Sequence, residues 1–118
     1  MKRQLIFICS PYRGDVEVNL QKARNYCHIA FVQGDRMSAP IIPFAPHLLF
    51  TQFLDDSKAS ERDAGLRLGL SMLARCDQLW VFGAPTQGMA LEIQEAKRLH
   101  IPIRSFDAEG NEVIARAE

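Results

Sequence analysis

The sequence predicts a doubly wound α/β fold, in which helices cover both faces of a parallel sheet of four to five strands. Residues 5–9 and 79–82 are continuous apolar runs, which is typical of strands buried on both faces. Stretches with helical periodicity alternate with such runs along the chain. Alternating strands and helices imply right-handed crossovers and, most simply, the flavodoxin-like strand order of Rossmann-like proteins.

Length and composition indicate one domain. With 118 residues, of which 47% are hydrophobic, the chain can bury one core and is too short for two, so we expect a single domain over residues 1–118. The 14 basic residues balance 14 acidic ones, and this balance lacks the basic excess that binding to a nucleic-acid polymer requires. A single nucleotide needs only one or two local donors and stays possible as a ligand.

The cysteines and the N-terminus indicate a soluble cytoplasmic protein. Cys9, Cys27 and Cys76 are odd in number and form no C-x-x-C pair, which fits neither a disulfide framework nor a zinc site. We interpret them as core residues in a reducing compartment, with a reactive thiol as the alternative. The apolar run of residues 5–9 is shorter than a signal-peptide core, and no stretch predicts a membrane span. No ligand cluster suggests a metal, and we expect no cofactor.

The first strand, residues 5–9, leads into a turn with ligand-binding side chains. Residues 10–15 supply a hydroxyl (Ser10), an aromatic ring (Tyr12), a guanidinium (Arg13) and a flexible Gly14, a set suited to a sugar or a phosphate. The alternative is that Asp15 only caps the next helix and Arg13 is solvated. Both interpretations are open from the sequence.

Residues 16–33 predict the first helix, and residues 39–44 predict the second strand. Gly34 stands where a glycine would end the helix. Prolines frame residues 39–44, which places that strand at a sheet edge, where a missing N–H is tolerated. His47 follows the strand and either contacts a base or ribose or is a structural histidine.

Residues 48–60 predict a short helix or a flap over a pocket, and a long helix follows. Ser60 is the expected N-cap, with Asp63 at the position of a capping-box acid. Capping is therefore the simplest role for Asp63.

The strand at residues 79–82 is followed by a helix that begins near Gly88 and ends before Pro102. Residues 101–106 predict a fourth strand, residues 107–111 a turn, and residues 112–115 a small fifth strand.

The turns after the first and third strands flank the switch point of such a sheet, which brings Tyr12 and Arg13 towards Thr86 and Glu92. A carboxylate among backbone N–H donors can act as a nucleophile or ion-pair partner for an oxocarbenium-like sugar carbon. The alternative is a glutamate near a helix start that the macrodipole favours. The residues alone leave both open.

Three segments, residues 6–14, 76–81 and 88–92, resemble the nucleoside 2-deoxyribosyltransferase-like superfamily. It includes deoxyribosyltransferases, deoxynucleoside 5′-monophosphate N-glycosidases and small uncharacterised bacterial and phage proteins. The resemblance covers about residues 5–102 and is closest to the last group. It implies that Glu92 is a nucleophile that attacks the anomeric carbon and releases the base, after which the sugar passes to another base or to water.

The resemblance also implies a substrate site. Thr86 stands where the transferases carry an aspartate that holds the sugar 5′-hydroxyl and the monophosphate glycosidases carry a serine that binds phosphate. A neutral hydroxyl near Arg13 favours a 5′-monophosphate over a free nucleoside. Tyr12 resembles the residue that lies beside sugar and base. The expected substrate-binding residues are Ser10, Tyr12, Arg13, Gly14, His47, Thr86, Gly88 and Met89.

Two departures from the family pattern bear on catalysis. The family places an aspartate about two helical turns before the residue matching Asp77, but residues 68–70 contain no acid. Asp63 lies upstream and is expected to substitute as the second catalytic residue, while Asp77 is expected to be structural. The chain is also shorter than typical transferases and ends with residues 115–118, so the family's C-terminal segment that reaches a neighbouring active site is expected to be reduced here.

The leading hypothesis is an enzyme, a hydrolase or transferase, that cleaves or exchanges the N-glycosidic bond of a (deoxy)nucleoside or its 5′-monophosphate. The alternative is a catalytically inactive nucleotide-binding or sensing module, which the missing acid favours. A structural partner domain is a third possibility. Related proteins imply a homodimer or larger homo-oligomer.

Overall fold

A computed structural model describes residues 3–114, which form a five-stranded sheet in the order β2-β1-β3-β4-β5. The strands are β1 (Gln4–Cys9), β2 (Ile41–Phe44), β3 (Gln78–Phe82), β4 (Ile103–Phe106) and β5 (Glu112–Val113). The helices are α1 (Val16–Arg36), α2 (Pro46–Leu49), α3 (Ala59–Leu73) and α4 (Gln87–Arg98), with a 3₁₀ turn at Phe50–Gln52. The first four strands are parallel, and β5 pairs antiparallel with β4. The predicted doubly wound class and flavodoxin-like order are confirmed.

The two central strands, β1 and β3, are buried on both faces. Because side chains alternate along a strand, Ile6 and Ile8 face a cluster with α1, while Phe7 and Cys9 face α3 and α4 on the other side. Fully burying one such large apolar side chain stabilises the fold by about 1.5–3 kcal/mol. The two clusters fix the register, in which Cys9 pairs with Val81 at the carboxyl ends of the strands.

The end of α1 corrects the prediction for Gly34. The helix continues to Arg36, and Gly34 is buried inside it rather than ending it. A Cβ atom at Gly34 would lie 2.8 Å from the carbonyl oxygen of Ala39 and 2.9 Å from Ile41 side-chain atoms. The glycine is therefore required by the close approach of the chain that leads into β2.

The start of α3 corrects the predictions for Ser60 and Asp63. The helix begins at Ala59, after Lys58, so Ser60 is not its N-cap and Asp63 is not its capping acid. No side chain caps α3; Glu61 instead ties the preceding turn to the helix, since its Oε1 accepts the backbone N–H of Asp55 at 2.8 Å. The preceding turn at residues 55–58 moves the helix start by two residues.

The remaining elements lie close to their predicted positions. The edge position of β2, the short helix in residues 48–60 and the turn before β5 are all present. Asp77 is structural as expected, because its carboxylate accepts the N–H of Leu5 at 2.7 Å. The predicted contributions of Ala115 and residues 115–118 lie outside the described residues. Within residues 3–114, no helix combines the length and hydrophobicity needed to cross a bilayer.

The close contact at Gly34 predicts that Gly34→Ala lowers the free energy of unfolding by about 1–3 kcal/mol, because the added methyl group meets backbone. Urea denaturation measures the change. The matched control is Gly65→Ala in α3, where the nearest atom, Cδ1 of Leu54, is 3.5 Å away. The control variant should gain about 0.5–1 kcal/mol from helix propensity, and equal stabilities of the two variants would contradict close packing at Gly34.

Candidate active site

A cavity of about 360 Å³ opens at the carboxyl ends of β1 and β3, a volume that suits a small organic ligand. The β1–α1 turn and the first turns of α4 form one side, and the segment from α2 into α3 forms the other. The cavity brings together these residues predicted from the sequence: Ser10, Tyr12, Arg13, His47, Asp63, Thr86, Gly88, Met89 and Glu92. Gly14 does not line it; its φ of 102° serves the turn.

Glu92 is a buried carboxylate on this cavity. Its side chain belongs to the second turn of α4, and the residue is only 6% exposed. Loss of solvation raises the pKa of Glu92 to about 7, and a hydrogen bond from the thiol of Cys9 opposes the rise. No ion pair to Glu92 forms within residues 3–114. Because Thr86 caps α4 and Glu92 lies beyond its first turn, the helix dipole gives little reason for a carboxylate at this position.

Gly69 of α3 lies opposite Glu92. A Cβ atom at Gly69 would be 4.0 Å from Oε2 of Glu92 and 3.9 Å from Pro46. No acid of α3 therefore stands beside the carboxylate at this contact. Asp63 is exposed at the cavity rim, six residues or about 9 Å along the helix from Gly69. The structure thus brings Asp63 to the cavity and does not bring it to Glu92.

The turn after β1 is held by hydrogen bonds that leave its side chains available. Asn19 donates from Nδ2 to the carbonyl oxygens of Tyr12 and Arg13, each at 3.0 Å. Asp15 caps α1 by accepting the N–H of Val18 at 3.2 Å, while Arg13 is exposed at the cavity. Asp15 thus has its predicted capping role and Arg13 remains available to a ligand. No sequence pattern indicated Asn19, because its role depends on the turn geometry.

Ser10 has a buried hydroxyl group without a partner. The residue is 1% exposed, and its Oγ makes no hydrogen bond within the described chain although it borders the cavity. Buried polar groups are almost always paired in native proteins. Ser10 therefore leaves an unpaired hydroxyl buried in the wall of the cavity.

His47 and Tyr12 form an aromatic stack beside Ser10. Their ring centroids are 4.9 Å apart with an interplanar angle of 26°. Nε2–H of His47 donates to the carbonyl oxygen of Ser10 at 3.0 Å, which leaves Nδ1 as an acceptor. Burial lowers the pKa of His47, so the ring is neutral at pH 7. Burial and then the charge of Asp56 raise the pKa of Tyr12.

Several cavity residues were not predicted. Phe50, Leu54 and Leu66 provide an apolar wall, and Asp56 and Arg62 provide charge. The sequence indicated a segment that covers a pocket. It did not indicate which side chains face inward, because residues 50–58 have no regular periodicity from which a face could be inferred.

The start of α4 is a potential anion site. Thr86 Oγ1 accepts the N–H of Met89 at 3.3 Å, which leaves the hydroxyl hydrogen of Thr86 free to donate. The N–H groups of Gln87 and Gly88 lie in the first turn of the helix, next to the cavity. Met89 is buried in the core and contributes little exposed surface.

The thiols are core groups. Cys9 and Cys76 are buried, and burial raises the pKa of Cys27 to about 11 and that of Cys76 to about 12. A thiol with such a pKa is protonated at neutral pH and a poor nucleophile. Cys9 and Cys76 lie in the core as expected, while Cys27 is half-buried and packs against the core.

Solved structures of other proteins share this fold. Nine chains of solved structures match, among them a 2-deoxyribosyltransferase from the psychrotolerant bacterium Bacillus psychrosaccharolyticus, described as a biocatalyst for nucleoside synthesis. The TM-score is 0.68, with 17% sequence identity over 94% of this chain and 77% of that one. At this identity the likeness shows a shared fold.

The chain belongs to the family described as a domain of unknown function (DUF7768), which matches residues 4–106. None of the curated proteins compared with the chain matches it.

The burial of Glu92 predicts that Glu92→Gln stabilises the protein at alkaline pH. The folded-state pKa of about 7 exceeds the usual value of 4.5, so the folded protein binds more protons than the unfolded chain between these values. Stability of the native protein therefore falls as the pH rises from 4.5 to 7, and glutamine escapes this loss. At pH 8 the variant should gain about 3 kcal/mol of unfolding free energy, with no gain at pH 4.

Urea unfolding at both pH values measures this gain. The control is Glu95→Gln on the same helix, where the carboxylate forms a surface ion pair with Arg98. Identical pH dependence of the stabilities of native protein and Glu92→Gln would show that Glu92 does not titrate near neutrality.

Proposed function

We propose that this protein cleaves or exchanges the N-glycosidic bond of a (deoxy)nucleoside or its 5′-monophosphate, with Glu92 as the nucleophile. The observation that carries the proposal is a buried carboxylate, without an ion-pair partner in the described chain, on a cavity of nucleoside size. The fold shared with a deoxyribosyltransferase supports it. The resemblance of residues 88–92 to the superfamily's glutamate motif agrees with the same assignment.

The first half-reaction forms a bond from a carboxylate oxygen of Glu92 to C1′ of the sugar. The C1′–N bond breaks, its electron pair goes to the base nitrogen, and the base takes a proton from water admitted at the rim beside Asp63. In the second half-reaction water, or a nitrogen of another base, attacks C1′ and loses a proton. The Glu92 carboxylate leaves, so hydrolysis and base transfer share the first step.

The surroundings of Glu92 suit this chemistry. A carboxylate removed from water is more basic, and it stabilises positive charge on the sugar carbon more strongly than a solvated one. Only the ionised form attacks, and a pKa of about 7 keeps a substantial ionised fraction at neutral pH. No step needs a metal or an organic cofactor.

A 5′-phosphate would lie at the start of α4. The free hydroxyl hydrogen of Thr86, the N–H groups of the first turn and the exposed guanidinium of Arg13 all border the cavity. These donors together neutralise a dianion, and none of them is acidic. The proposal therefore favours a nucleoside 5′-monophosphate over a free nucleoside.

A nucleotide-binding module without turnover is the second candidate. Gly69 stands opposite Glu92 where an acid would assist departure of the base, and this observation favours binding alone. A nucleotide at one hundred times its dissociation constant would stabilise either an enzyme or a binding module by about 2.7 kcal/mol. A structural partner domain predicts no stabilisation by any nucleotide.

The same proposal includes the coarser properties expected from the sequence. We propose a single cytoplasmic domain over residues 1–118 that assembles as a homodimer or larger homo-oligomer. Light scattering tests the assembly.

Glu92→Gln should lower the rate of base release by at least about 10³-fold while nucleotide binding persists, because the amide keeps the shape and lacks the nucleophilic charge. Chromatography of ribo- and deoxyribonucleosides and their 5′-monophosphates, with and without a second free base, measures release and transfer.

Glu95→Gln is the matched control for base release, since it makes the same chemical change at the surface ion pair with Arg98 and should keep full activity. Unchanged turnover in Glu92→Gln would remove Glu92 from the mechanism. Nucleotide-dependent stabilisation without release from any substrate would favour the binding module.

Thr86→Asp should weaken binding of a 5′-monophosphate at least about tenfold more than binding of the nucleoside, because it places a negative charge beside the phosphate. Aspartate is also a good N-cap, so α4 should remain intact. Isothermal titration calorimetry measures both affinities. Thr86→Asn is the control, with the same shape and capping ability but no charge, and equal losses for both ligands in Thr86→Asp would contradict a phosphate at this position.

A further inference from the structure

The wall of the cavity opposite α4 is the part of the site that the base of a bound nucleotide would contact. In the proposed function, on which this inference rests, the phosphate lies at the start of α4 and C1′ lies at Glu92. The base must then extend towards the segment that runs from α2 into α3. This segment contributes the apolar side chains of Phe50, Leu54 and Leu66 and the carboxylate of Asp56 to the cavity.

Asp56 is a cavity carboxylate with no structural task in the described chain. It is half-buried, and its carboxylate makes no hydrogen bond or ion pair within residues 3–114. Nη1 of Arg62 donates to the backbone carbonyl oxygen of Asp56, at 3.3 Å, rather than to its side chain. The neighbouring Asp55 holds the turn instead, by accepting the N–H of Ser57 at 3.0 Å and its hydroxyl at 2.6 Å.

The groups around Asp56 are suited to binding a nucleobase, with the carboxylate at the edge of the ring. Asp56 lines the same cavity as the stacked rings of Tyr12 and His47. Aromatic and aliphatic surfaces hold the faces of a nucleobase, and a polar group at the end of the slot contacts its edge. An ionised carboxylate at this position only accepts hydrogen bonds.

We propose that Asp56 selects nucleobases that carry an exocyclic amino group, namely cytosine, adenine or guanine, over uracil, thymine and hypoxanthine, which lack this group. The amino group donates to the carboxylate. At the same position the carbonyl oxygen of uracil repels the carboxylate and the C–H group of hypoxanthine offers no donor, so either base leaves the carboxylate desolvated without a partner. Asp56 is thus a specificity residue for the base, distinct from the nucleophile and from the phosphate donors.

The test uses substrate pairs that differ in the amino group: cytidine and uridine 5′-monophosphates, and guanosine and inosine 5′-monophosphates. The native protein should prefer the amino member by at least about tenfold in kcat/KM for base release. Asp56→Asn should abolish or invert the preference within the cytidine and uridine pair, because an amide also donates to a carbonyl oxygen. Asp55→Asn makes the same change outside the cavity, keeps the acceptor for Ser57, and should leave the preference unchanged.

Affinities of the same four nucleotides for Glu92→Gln separate base selection from catalysis. The proposed selection by Asp56 is overturned if the native protein shows equal kcat/KM for both members of each pair. It is also overturned if Asp56→Asn weakens the binding of all four nucleotides equally. Amino-selective binding without release from any substrate supports the selection and overturns the proposed catalysis. Absence of binding for all four overturns both. A melting temperature of Asp56→Asn close to that of the native protein shows that the comparison is made between folded proteins.

Discussion

The parallel pairing of β1 with β3 at the centre of the sheet sets the positions of the turn that carries Ser10 and of the helix that carries Glu92. Both strands are completely covered by helices, so their register is fixed by packing on two faces, and Cys9 ends level with Val81. Beyond Cys9 the chain enters the turn before α1, and beyond β3 it enters the loop before α4. The hydroxyl of Ser10 and the first turn of α4 consequently border one cavity although more than 70 residues separate them. A slip of one residue between the strands would turn one of these groups into the core.

Helix α4 combines two tasks along one face. Met89 and Ala96 pack into the core, while Glu92, between them on the same buried stripe, points its carboxylate to the cavity. Burial of a carboxylate without a cation costs stability and raises its pKa, and the same burial makes it a stronger nucleophile when ionised. The core around α4 thus supports a group that the fold would be more stable without.

The sequence predicted the parts of the molecule that repeat a simple pattern. The strand order of the sheet could be predicted from the apolar runs of β1 and β3 and the periodicity of the helices. That order located the switch point and most of the candidate site. Features that depend on contacts between distant segments could not be predicted from the sequence. Gly34 resembled a helix end, but it is the point where the chain entering β2 touches α1. Ser60 and Asp63 resembled a capping box, but Glu61 reaches back to the turn at Asp55. The cavity wall from Phe50 to Leu66 was assigned as a segment and not by residue, because irregular backbone gives no rule for side-chain direction.

The unpartnered hydroxyl of Ser10 links the stability of this protein to its affinity for a ligand. A buried hydroxyl without a partner costs about 1–3 kcal/mol of stability, and a ligand group that hydrogen-bonds to Ser10 would recover this cost on binding. Selection for heat resistance alone would therefore favour replacement of Ser10 by a small apolar residue. Such gains would be made at the expense of ligand affinity, so a thermostable relative engineered without a ligand present is expected to be a weaker binder.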